Sequence, residues 1–198
     1  MEKISIVPME NVDIHDTAKV AACAFAPTPF PMAIFRDEQK AERGMSRLFQ
    51  VMFRHFPGQV FVAKEDGRIV GVMRMVEWPR CQMTPLQAMR ILPTMLGTWP
   101  GVGIRAMKGF GTWAKHDPKE PHWHLSPLTV VPERQGQGIG TQLLKEFCGR
   151  VDKTGLAAYL ETDRPENVRL YERFGFKVTR EMPVIGVRCW FMWRPPKT

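Results

Sequence analysis

The sequence predicts an α/β fold in which helices flank a sheet of about seven strands. Strand-like and helix-like patterns alternate along all 198 residues. A glycine-spaced loop joins a β-branched run at residues 128–131 to a helix pattern. Asp66-Gly67 lies between two other β-branched runs, as hairpin turns do. The length fits one domain, so residues 1–198 are expected to form a single unit.

The first 55 residues contain one strand pattern and two helix patterns. A strand is predicted over residues 3–8, and helices over residues 15–25 and 38–55. Residues 24–36 are predicted to form a loop, because the prolines at 27, 29 and 31 disrupt a helix interior. Since Phe25, Phe30 and Phe35 alternate with these prolines, the loop either packs on the core or forms one wall of a substrate cleft.

The next segment combines a hairpin with two short helix patterns. Strands are predicted over residues 59–64 and 68–76, and helices over residues 86–96 and 102–113. Such apolar stripes often pack in cores, but helices inserted between strands also cover clefts, so we expect this region to line a substrate site. Its large apolar side chains are Met83, Met89, Met95, Trp99, Met107 and Trp113.

The second half of the chain returns to alternating strands and helices. Strands are predicted over residues 123–131, 157–162, 176–180 and 188–193, and a helix runs from the glycine loop to about residue 153. Pro165 opens a further helix in its favoured first-turn position, and Gly175 ends that helix.

The glycine loop predicts a phosphate-binding turn. Gly136, Gly138 and Gly140 precede a helix, whose first turn exposes unpaired N–H groups and the positive end of the backbone dipole. The spacing does not match the dinucleotide motif G-x-G-x-x-G, and no Lys-Ser or Lys-Thr follows, as an ATP-binding loop requires. The alternative is a glycine cluster that only caps the helix.

Composition excludes several classes of protein. The chain is 44% apolar and 24% charged, which is typical of soluble globular proteins. No run approaches the ~18 apolar residues of a membrane span, and the N-terminus has no signal-length apolar run, so we expect a cytoplasmic protein. The basic residues behind the net charge of +8 are spread along the chain among acidic ones, which is typical of a solvated surface. An anionic cofactor would also benefit from this charge, and nucleic-acid binding is the weaker alternative.

The four cysteines are scattered through the chain. Cys23, Cys81, Cys148 and Cys189 form no C-x-x-C pair and have no histidine at metal-ligand spacing. We therefore expect reduced thiols and no metal site.

Two motifs resemble those of the GNAT superfamily of N-acetyltransferases. Gln135-x-x-Gly138-x-Gly140 after a strand is similar to its acetyl-CoA-binding motif. The second motif is Leu160-Glu161-Thr162, Asn167 and the run Leu170-Tyr171-Glu172-Arg173-Phe174-Gly175-Phe176. The order of elements is also similar. The resemblance implies the GNAT fold, with a mixed, mostly antiparallel sheet that splays between strands 4 and 5, and acetyl-CoA as co-substrate.

The resemblance also implies how acetyl-CoA is bound. The pantetheine would lie along the fourth strand, the pyrophosphate on the N–H groups of the glycine loop, and the N–H of Val130 would stabilise the oxyanion. The implied cofactor contacts are Leu128, Val130, Val131, Gln135, Gly136, Gly138, Gly140, Thr141 and Asn167.

Acetyl transfer to an amine needs a proton donor and a proton acceptor. The resemblance gives Tyr171 the general-acid role toward the departing thiolate, while a core aromatic is the alternative. Glu161 is the first candidate for the base, directly or through water; His122 and His124, which share one side of a strand, are the others. Candidate contacts to the acceptor are Phe30, Trp99 and His124.

The expected function is direct acetyl transfer from acetyl-CoA to a primary amine of a small molecule, because no motif supports an acetyl-enzyme. A peptide or protein amine is the alternative acceptor, and a non-catalytic acetyl-CoA-binding sensor is the alternative class. The expected assembly is a monomer or homodimer.

Overall fold

The computed structural model describes residues 4–84, 86–87, 89–91 and 101–197. Within them, helices and strands alternate as the sequence predicts. The helices are Ile14–Phe25 (α1), Pro29–Phe35 (α2), Glu38–His55 (α3), Val102–His116 (α4), Ile139–Asp152 (α5) and Pro165–Glu172 (α6). The strands are Ser5–Pro8 (β1), Gln59–Glu65 (β2), Arg68–Glu77 (β3), His122–Val130 (β4), Ala157–Thr162 (β5), Lys177–Val184 (β6) and Val187–Arg194 (β7).

The seven strands of the described residues form one sheet in the order β1-β2-β3-β4-β5-β7-β6. Neighbours are antiparallel except β4 and β5, which are parallel. These two strands pair only from His122 to His124, opposite Ala157 to Tyr159. Beyond His124 they separate, and the expected splay between strands 4 and 5 is confirmed.

A β-bulge lies in β4 where the gap begins. The register against β3 changes between Met73, opposite Leu128, and Met75, opposite Leu125, so β4 holds one extra residue there. Pro127 lies in this irregular stretch, where a residue without an N–H does not interrupt a regular ladder. The buried Arg74 donates to the carbonyl oxygen of Ser126 at 3.2 Å, which ties the bulge to β3.

Helices cover both faces of the sheet. Two buried clusters separate the layers: one contains the apolar faces of α1 to α4, and the other contains α5 with Tyr171 of α6. Helix α3 begins where Asp37 caps it, since its carboxylate accepts from the N–H of Lys40 at 2.8 Å. No single helix of the described residues is long and apolar enough to cross a membrane; by length and composition alone, Asn11–Phe25 and Pro29–Phe35 meet the criterion together, bent by 94°.

The prediction of a loop over residues 24–36 is wrong for its second half, which forms α2. Pro29 and Pro31 occupy the first turn, where backbone N–H groups have no partner within the helix, so proline costs little there. The N–H of Phe30, between them, donates to a carboxylate oxygen of Asp163 at 2.7 Å. A side chain 133 residues away therefore completes the start of this helix.

The other predicted elements match within a few residues. The hairpin turn at Asp66-Gly67 has both residues in the left-handed region, as a tight turn between strands requires. Gly175, also left-handed, follows α6 as predicted. Part of the predicted helix over residues 86–96 lies outside the described residues. Met95 and Trp99 also lie outside them.

Candidate active site

A cavity of about 490 Å³ lies where β4 and β5 separate. Its lining comes from β4, the glycine loop, the end of β5 and α6 on one side, and from α1, α3 and α4 on the other. The splay therefore brings the two sequence motifs, the first ending at Gly140 and the second beginning at Leu160, to one space. The predicted site residues in its lining are Leu128, Val130, Gln135, Gly136, Gly138, Gly140, Thr141, Glu161, Asn167 and Tyr171.

The glycine loop presents a row of free backbone donors to this cavity. Gly136 (φ 75°) and Gly138 (φ 83°) are left-handed, and Gly138 caps α5 without any side-chain hydrogen bond. Within the described residues, the N–H groups of residues 136–141 have no hydrogen-bond acceptor. Successive N–H groups at a helix N-terminus form an anion-binding site, so the loop suits a pyrophosphate.

Strand β4 has an open edge beside the loop. The N–H of Val131 donates to the carbonyl of Val70 at 3.0 Å. Because hydrogen-bonded and non-hydrogen-bonded pairs alternate in an antiparallel ladder, the N–H groups of Val130 and Leu128 point away from β3, into the gap. An extended ligand can add to this edge as a further strand would.

Two predicted cofactor contacts need correction. The N–H of Val131 is bonded to β3 and its side chain does not line the cavity, so a direct cofactor contact of Val131 is not supported. The N–H of Gln135 donates to the carbonyl of Pro132 at 3.2 Å and is not free for a phosphate. The amide of Gln135 instead donates to the carbonyl of Val130 at 3.0 Å and holds the loop against the strand end.

Helix α6 carries Asn167 and Tyr171 on one face, as their i, i+4 spacing predicts. Tyr171 is 6% exposed, and its ring packs edge-on against Phe176. Its hydroxyl forms no hydrogen bond with the residues that the structure describes, so the O–H is available to a ligand. Burial, and secondarily the Asp163 carboxylate, raises the pKa of Tyr171, which keeps the group protonated at neutral pH.

Glu161 and His124 are brought together across the start of the gap. Oε2 of Glu161 lies 2.8 Å from Nε2 of His124. Burial by itself lowers the pKa of His124, but the charge of Glu161 and the nearby Cys81 and Asp117 outweigh it and raise this pKa to about 10. Glu161 lines the cavity and His124 does not. The prediction that His124 contacts the acceptor is therefore corrected: His124 contacts Glu161, on the side away from the cavity.

Behind this pair lies a cluster that sequence reasoning missed. Cys81, Asp117, His122 and His124 bring one potential metal-ligand atom each to within 4.8 Å of one another. Burial lowers the pKa of His122, yet the neighbouring Asp117 carboxylate and Cys81 side chain raise it to about 9 overall. The spacing of the cysteines in the sequence does not indicate this cluster, because the fold brings Cys81 next to residues 36 and 41 positions away in the chain.

The cavity end opposite the glycine loop is apolar. It is lined by Phe25 of α1, by an apolar stripe of α3 and by Phe110 and Trp113 of α4, as expected for the α4 region. The stripe of α3, which reads as core in the sequence, consists of Met45, Leu48, Phe49 and Met52. Thr28 and Thr129 also line the cavity, and their hydroxyl oxygens are buried without a partner in the described residues.

Phe30 does not touch the cavity. It is fully buried, and its ring stacks on Trp113 with centroids 3.8 Å apart. The predicted acceptor contact of Phe30 is therefore corrected to a core contact that supports Trp113 from behind. Met107 is 61% exposed and lies outside this lining, and Trp99 lies outside the described residues.

One protein-family model matches most of the chain, including both sequence motifs. Residues 24–176 match the model described as the acetyltransferase (GNAT) family. L-methionine sulfoximine/L-methionine sulfone acetyltransferase of Salmonella typhimurium is 29% identical over 99 residues, which are 48% of this chain and 57% of that protein. The chain thus spans little more than half the length of this curated relative.

Solved structures share the fold. One described as histone acetyltransferase HPA2 and related acetyltransferase, from Corynebacterium glutamicum, superposes with a TM-score of 0.74 at 24% identity, over 100% of this chain and 98% of that one. A GNAT family acetyltransferase from Brucella melitensis, in complex with acetyl-CoA, gives a TM-score of 0.56 at 20% identity, over 100% and 91% of the two chains. At these identities the likeness concerns the fold alone.

Proposed function

The chain belongs to the acetyltransferase (GNAT) family, and from this premise we propose that it transfers the acetyl group of acetyl-CoA to the primary amine of a small molecule. One observation carries the proposal: the cavity at the β4–β5 gap joins the free N–H groups of the glycine loop to Glu161 and Tyr171. Acetyl-CoA supplies the acetyl group as a thioester. We expect the protein to act in the cytoplasm as a monomer or homodimer.

The glycine loop and β4 hold the donor. The N–H groups of residues 136–141 bind the pyrophosphate, and the open edge at Leu128 and Val130 binds the amides of the pantetheine arm. Three arginines, Arg134, Arg164 and Arg173, also lie in this lining. Arg134 pairs with Glu65 and Arg164 with Glu166, so a phosphate would compete with these carboxylates for their charge.

Glu161 accepts the proton of the amine. An alkylammonium has a pKa near ~10 and must lose a proton before its nitrogen attacks the carbonyl carbon. The Glu161 side chain is 7% exposed, lines the cavity and is oriented by the 2.8 Å contact with His124. It takes this proton directly or through one water molecule.

Two donors stabilise the rest of the reaction. The N–H of Val130 points into the gap and binds the carbonyl oxygen as it becomes an oxyanion, an effect of roughly 3–4 kcal/mol for such donors. The C–N bond forms, the C–S bond breaks, and the Tyr171 hydroxyl donates to the departing sulfur. Because Cys81, the cysteine beside the histidines, does not line the cavity, we favour direct transfer over an acetyl-enzyme.

The acceptor end favours an amine attached to an apolar group. Met52, Phe110 and Trp113 supply apolar surface, while Glu161 and Asp163 attract an ammonium. The Salmonella relative is named for two methionine derivatives, which fit this description. L-Amino acids with apolar side chains are therefore the first acceptors to test.

A second group of acceptors follows from the motifs. Pro118-Lys119-Glu120-Pro121, the turn Gln135-Gly136-Gln137-Gly138 and Tyr171-Glu172-Arg173-x-Gly175-Phe176 resemble puromycin N-acetyltransferase. The resemblance covers residues 115 to the end, whereas most of the acceptor end comes from the first 114 residues. It supports acetyl transfer more than it supports puromycin, so an aminonucleoside belongs in the panel as one candidate.

The test is acetyl-CoA-dependent thiol release with a panel of amines, with mass spectrometry of the products. The panel contains methionine sulfoximine, apolar L-amino acids, puromycin, simple alkylamines and peptides with free N-termini. N-acetylation of one or more small amines, lost in Glu161→Gln, supports the proposal. Turnover of peptides alone supports a peptide acetyltransferase, and tight acetyl-CoA binding without any turnover supports a sensor; either result contradicts the proposal.

A further inference from the structure

Four side chains with metal-binding atoms converge behind Glu161. They come from three segments: Cys81 from the turn after β3, Asp117 from the residue after α4, and His122 and His124 from β4. One ligand atom of each lies within 4.8 Å of the others. Nothing in the proposed acetyl transfer requires this convergence.

Four separations within the cluster are close to those between the ligands of one small ion. Oδ1 of Asp117 lies 3.7 Å from Nε2 of His122 and 3.7 Å from Nδ1 of His124, which is too long for hydrogen bonds. Sγ of Cys81 lies 3.5 Å from Oδ2 of Asp117 and 3.8 Å from Nε2 of His122. With the usual zinc–ligand bond lengths, tetrahedral ligand atoms lie about 3.4–3.6 Å apart.

One oxygen of the cluster requires a partner. Oδ1 of Asp117 is buried and has no hydrogen-bond partner in the described residues. A buried carboxylate oxygen without a hydrogen bond costs free energy that the two imidazoles, 3.7 Å away, offset only in part, and a cation bound between them removes that cost.

The outer nitrogen of each histidine is already bound to an oxygen. Nδ1 of His122 lies 2.7 Å from the carbonyl oxygen of Glu120, and Nε2 of His124 lies 2.8 Å from Oε2 of Glu161. Because both oxygens act as acceptors, these nitrogens carry hydrogens. When a metal ion displaces the second proton of each ring, Nε2 of His122 and Nδ1 of His124 direct their lone pairs into the cluster. Metal-binding histidines are typically oriented in this way.

From this geometry we propose that Cys81, Asp117, His122 and His124 bind one zinc ion in tetrahedral coordination. A thiolate, two imidazoles and a carboxylate are a ligand set that zinc accepts. Four protein ligands leave no open position for water, so the ion acts as a structural tie rather than as a Lewis acid.

The tie would join three segments that frame the acceptor end. Asp117 follows directly on α4, whose Phe110 and Trp113 line the cavity. His124 is the residue that orients Glu161. The zinc would thus fix the end of α4 and the position of Glu161 together, which makes His124 a positioning residue.

The first experiment measures zinc binding to the full chain without acetyl-CoA or amine. After treatment with a chelator, the protein is titrated with Zn²⁺ in competition with a chromophoric chelator, and with Co²⁺ as a spectroscopic substitute. We expect one ion per chain, a higher Tm with zinc, and with Co²⁺ a thiolate-to-metal charge-transfer band and intense tetrahedral d–d bands. Failure of the wild-type chain to bind stoichiometrically, or an octahedral Co²⁺ spectrum, overturns the site.

Two variants locate the ion. In Cys81→Ser the charge-transfer band should vanish, and in Asp117→Asn zinc affinity should fall by at least about 100-fold, the upper range for loss of an outer-shell contact. Cys23→Ser is the matched control, since Cys23 is a partly exposed thiol distant from the cluster in sequence, and it should bind zinc normally. Unchanged affinity in both Cys81→Ser and Asp117→Asn places the ion elsewhere and refutes the proposal.

Thiol alkylation reports on the site even if a variant fails to fold. Burial raises the pKa of Cys148 to about 11 and that of Cys189 to about 12, so both thiols should react slowly in the native chain. In Cys23→Ser, zinc should therefore protect Cys81 against alkylation, and equal labelling with and without zinc contradicts the site. Zinc binding without amine turnover would sink only the acetyltransferase proposal, and turnover in chelator-treated protein without zinc binding would sink only the zinc proposal.

Discussion

His124 and Glu161 are joined by a 2.8 Å contact at the point where β4 and β5 separate. His124 lies opposite Tyr159 in the last paired position of the two strands, and Glu161 lies two residues further along β5. The contact therefore closes the base of the gap, and it places a carboxylate on the cavity wall with a fixed orientation. The separation of β4 and β5 thus places the proposed base, Glu161, at the cavity.

The first prediction concerns Glu161→Gln. Glutamine keeps the size of the side chain and its amide oxygen still accepts from His124, but it does not take a proton from an ammonium. We expect kcat to fall by roughly 10²-fold or more, with acetyl-CoA affinity nearly unchanged by calorimetry. Glu146→Gln, on the surface of α5, is the control and should have normal kcat. A kcat within about threefold of the wild type would exclude Glu161 as the base.

The second prediction concerns Gly138→Val. The residue is left-handed (φ 83°) and borders the donor end of the cavity, so a branched side chain there obstructs the approach of a pyrophosphate. The same substitution also strains the backbone by roughly 1–2 kcal/mol. We expect Tm to fall slightly and acetyl-CoA binding to be lost in calorimetry.

Gly186→Val separates these two effects. Gly186 has the same φ of 83° and, like Gly138, has open space around an added Cβ, but it lies in the β6–β7 turn and not in the cavity lining. It should show the loss of stability and normal acetyl-CoA affinity. If both variants bind acetyl-CoA equally well, the glycine loop does not hold the pyrophosphate.

The third prediction concerns the apolar acceptor end. Met52 of α3 is half-buried and lines the cavity, so Met52→Ala should raise KM for an apolar amine several-fold and leave acetyl-CoA affinity unchanged. Met107→Ala is the control, because Met107 is exposed and outside the lining. Steady-state kinetics on both variants test the assignment, which is wrong if the two KM values for the amine agree.

The fourth prediction follows from the position of Phe30. Since its ring is fully buried against Trp113, Phe30→Ala should lower the free energy of unfolding by about 3–5 kcal/mol. Denaturant unfolding measures this loss. A stable variant with only a raised KM for the amine would restore Phe30 as an acceptor contact.

The sequence predicted the elements well because most of them depend on local patterns. Two examples can be recognised from the local sequence alone: the helical period of apolar residues in α3 and the Asp66-Gly67 turn. Helix α2 was missed because its completion depends on Asp163, a residue from the other half of the chain. Likewise, no local pattern marks the bulge that accommodates Pro127 within a central strand.

The site was predictable to the extent that it lies in contiguous motifs. Gly138, Asn167 and Tyr171 reach the cavity as expected, because a loop and one helix face position them. The convergence of Cys81, Asp117 and the two histidines was not predictable, since it requires three segments to meet in space. The acceptor role of the α3 stripe was hidden for a different reason: in a sequence, an apolar cavity wall and an apolar core have the same period.

The proposed acid, Tyr171, has a pKa above that of an ordinary phenol. Burial is the main cause, and it makes complete proton transfer to a thiolate less favourable than from an exposed tyrosine. A thiolate leaving within the same cavity is also poorly solvated, however, and burial raises the pKa of thiols too, as it does for Cys148. The two shifts run in the same direction, so they offset one another at least in part.

The last prediction concerns Tyr171→Phe, which removes the hydroxyl and keeps the ring that packs on Phe176. A donor to the departing thiolate acts mainly in the transition state, so kcat should fall by ~10²–10⁴-fold. Acetyl-CoA affinity and Tm should change little, because the hydroxyl forms no hydrogen bond with the described residues. Turnover and melting are measured on the same sample. A tyrosine that serves only the core would give nearly normal turnover, and a kcat within about threefold of the wild type excludes the general-acid role.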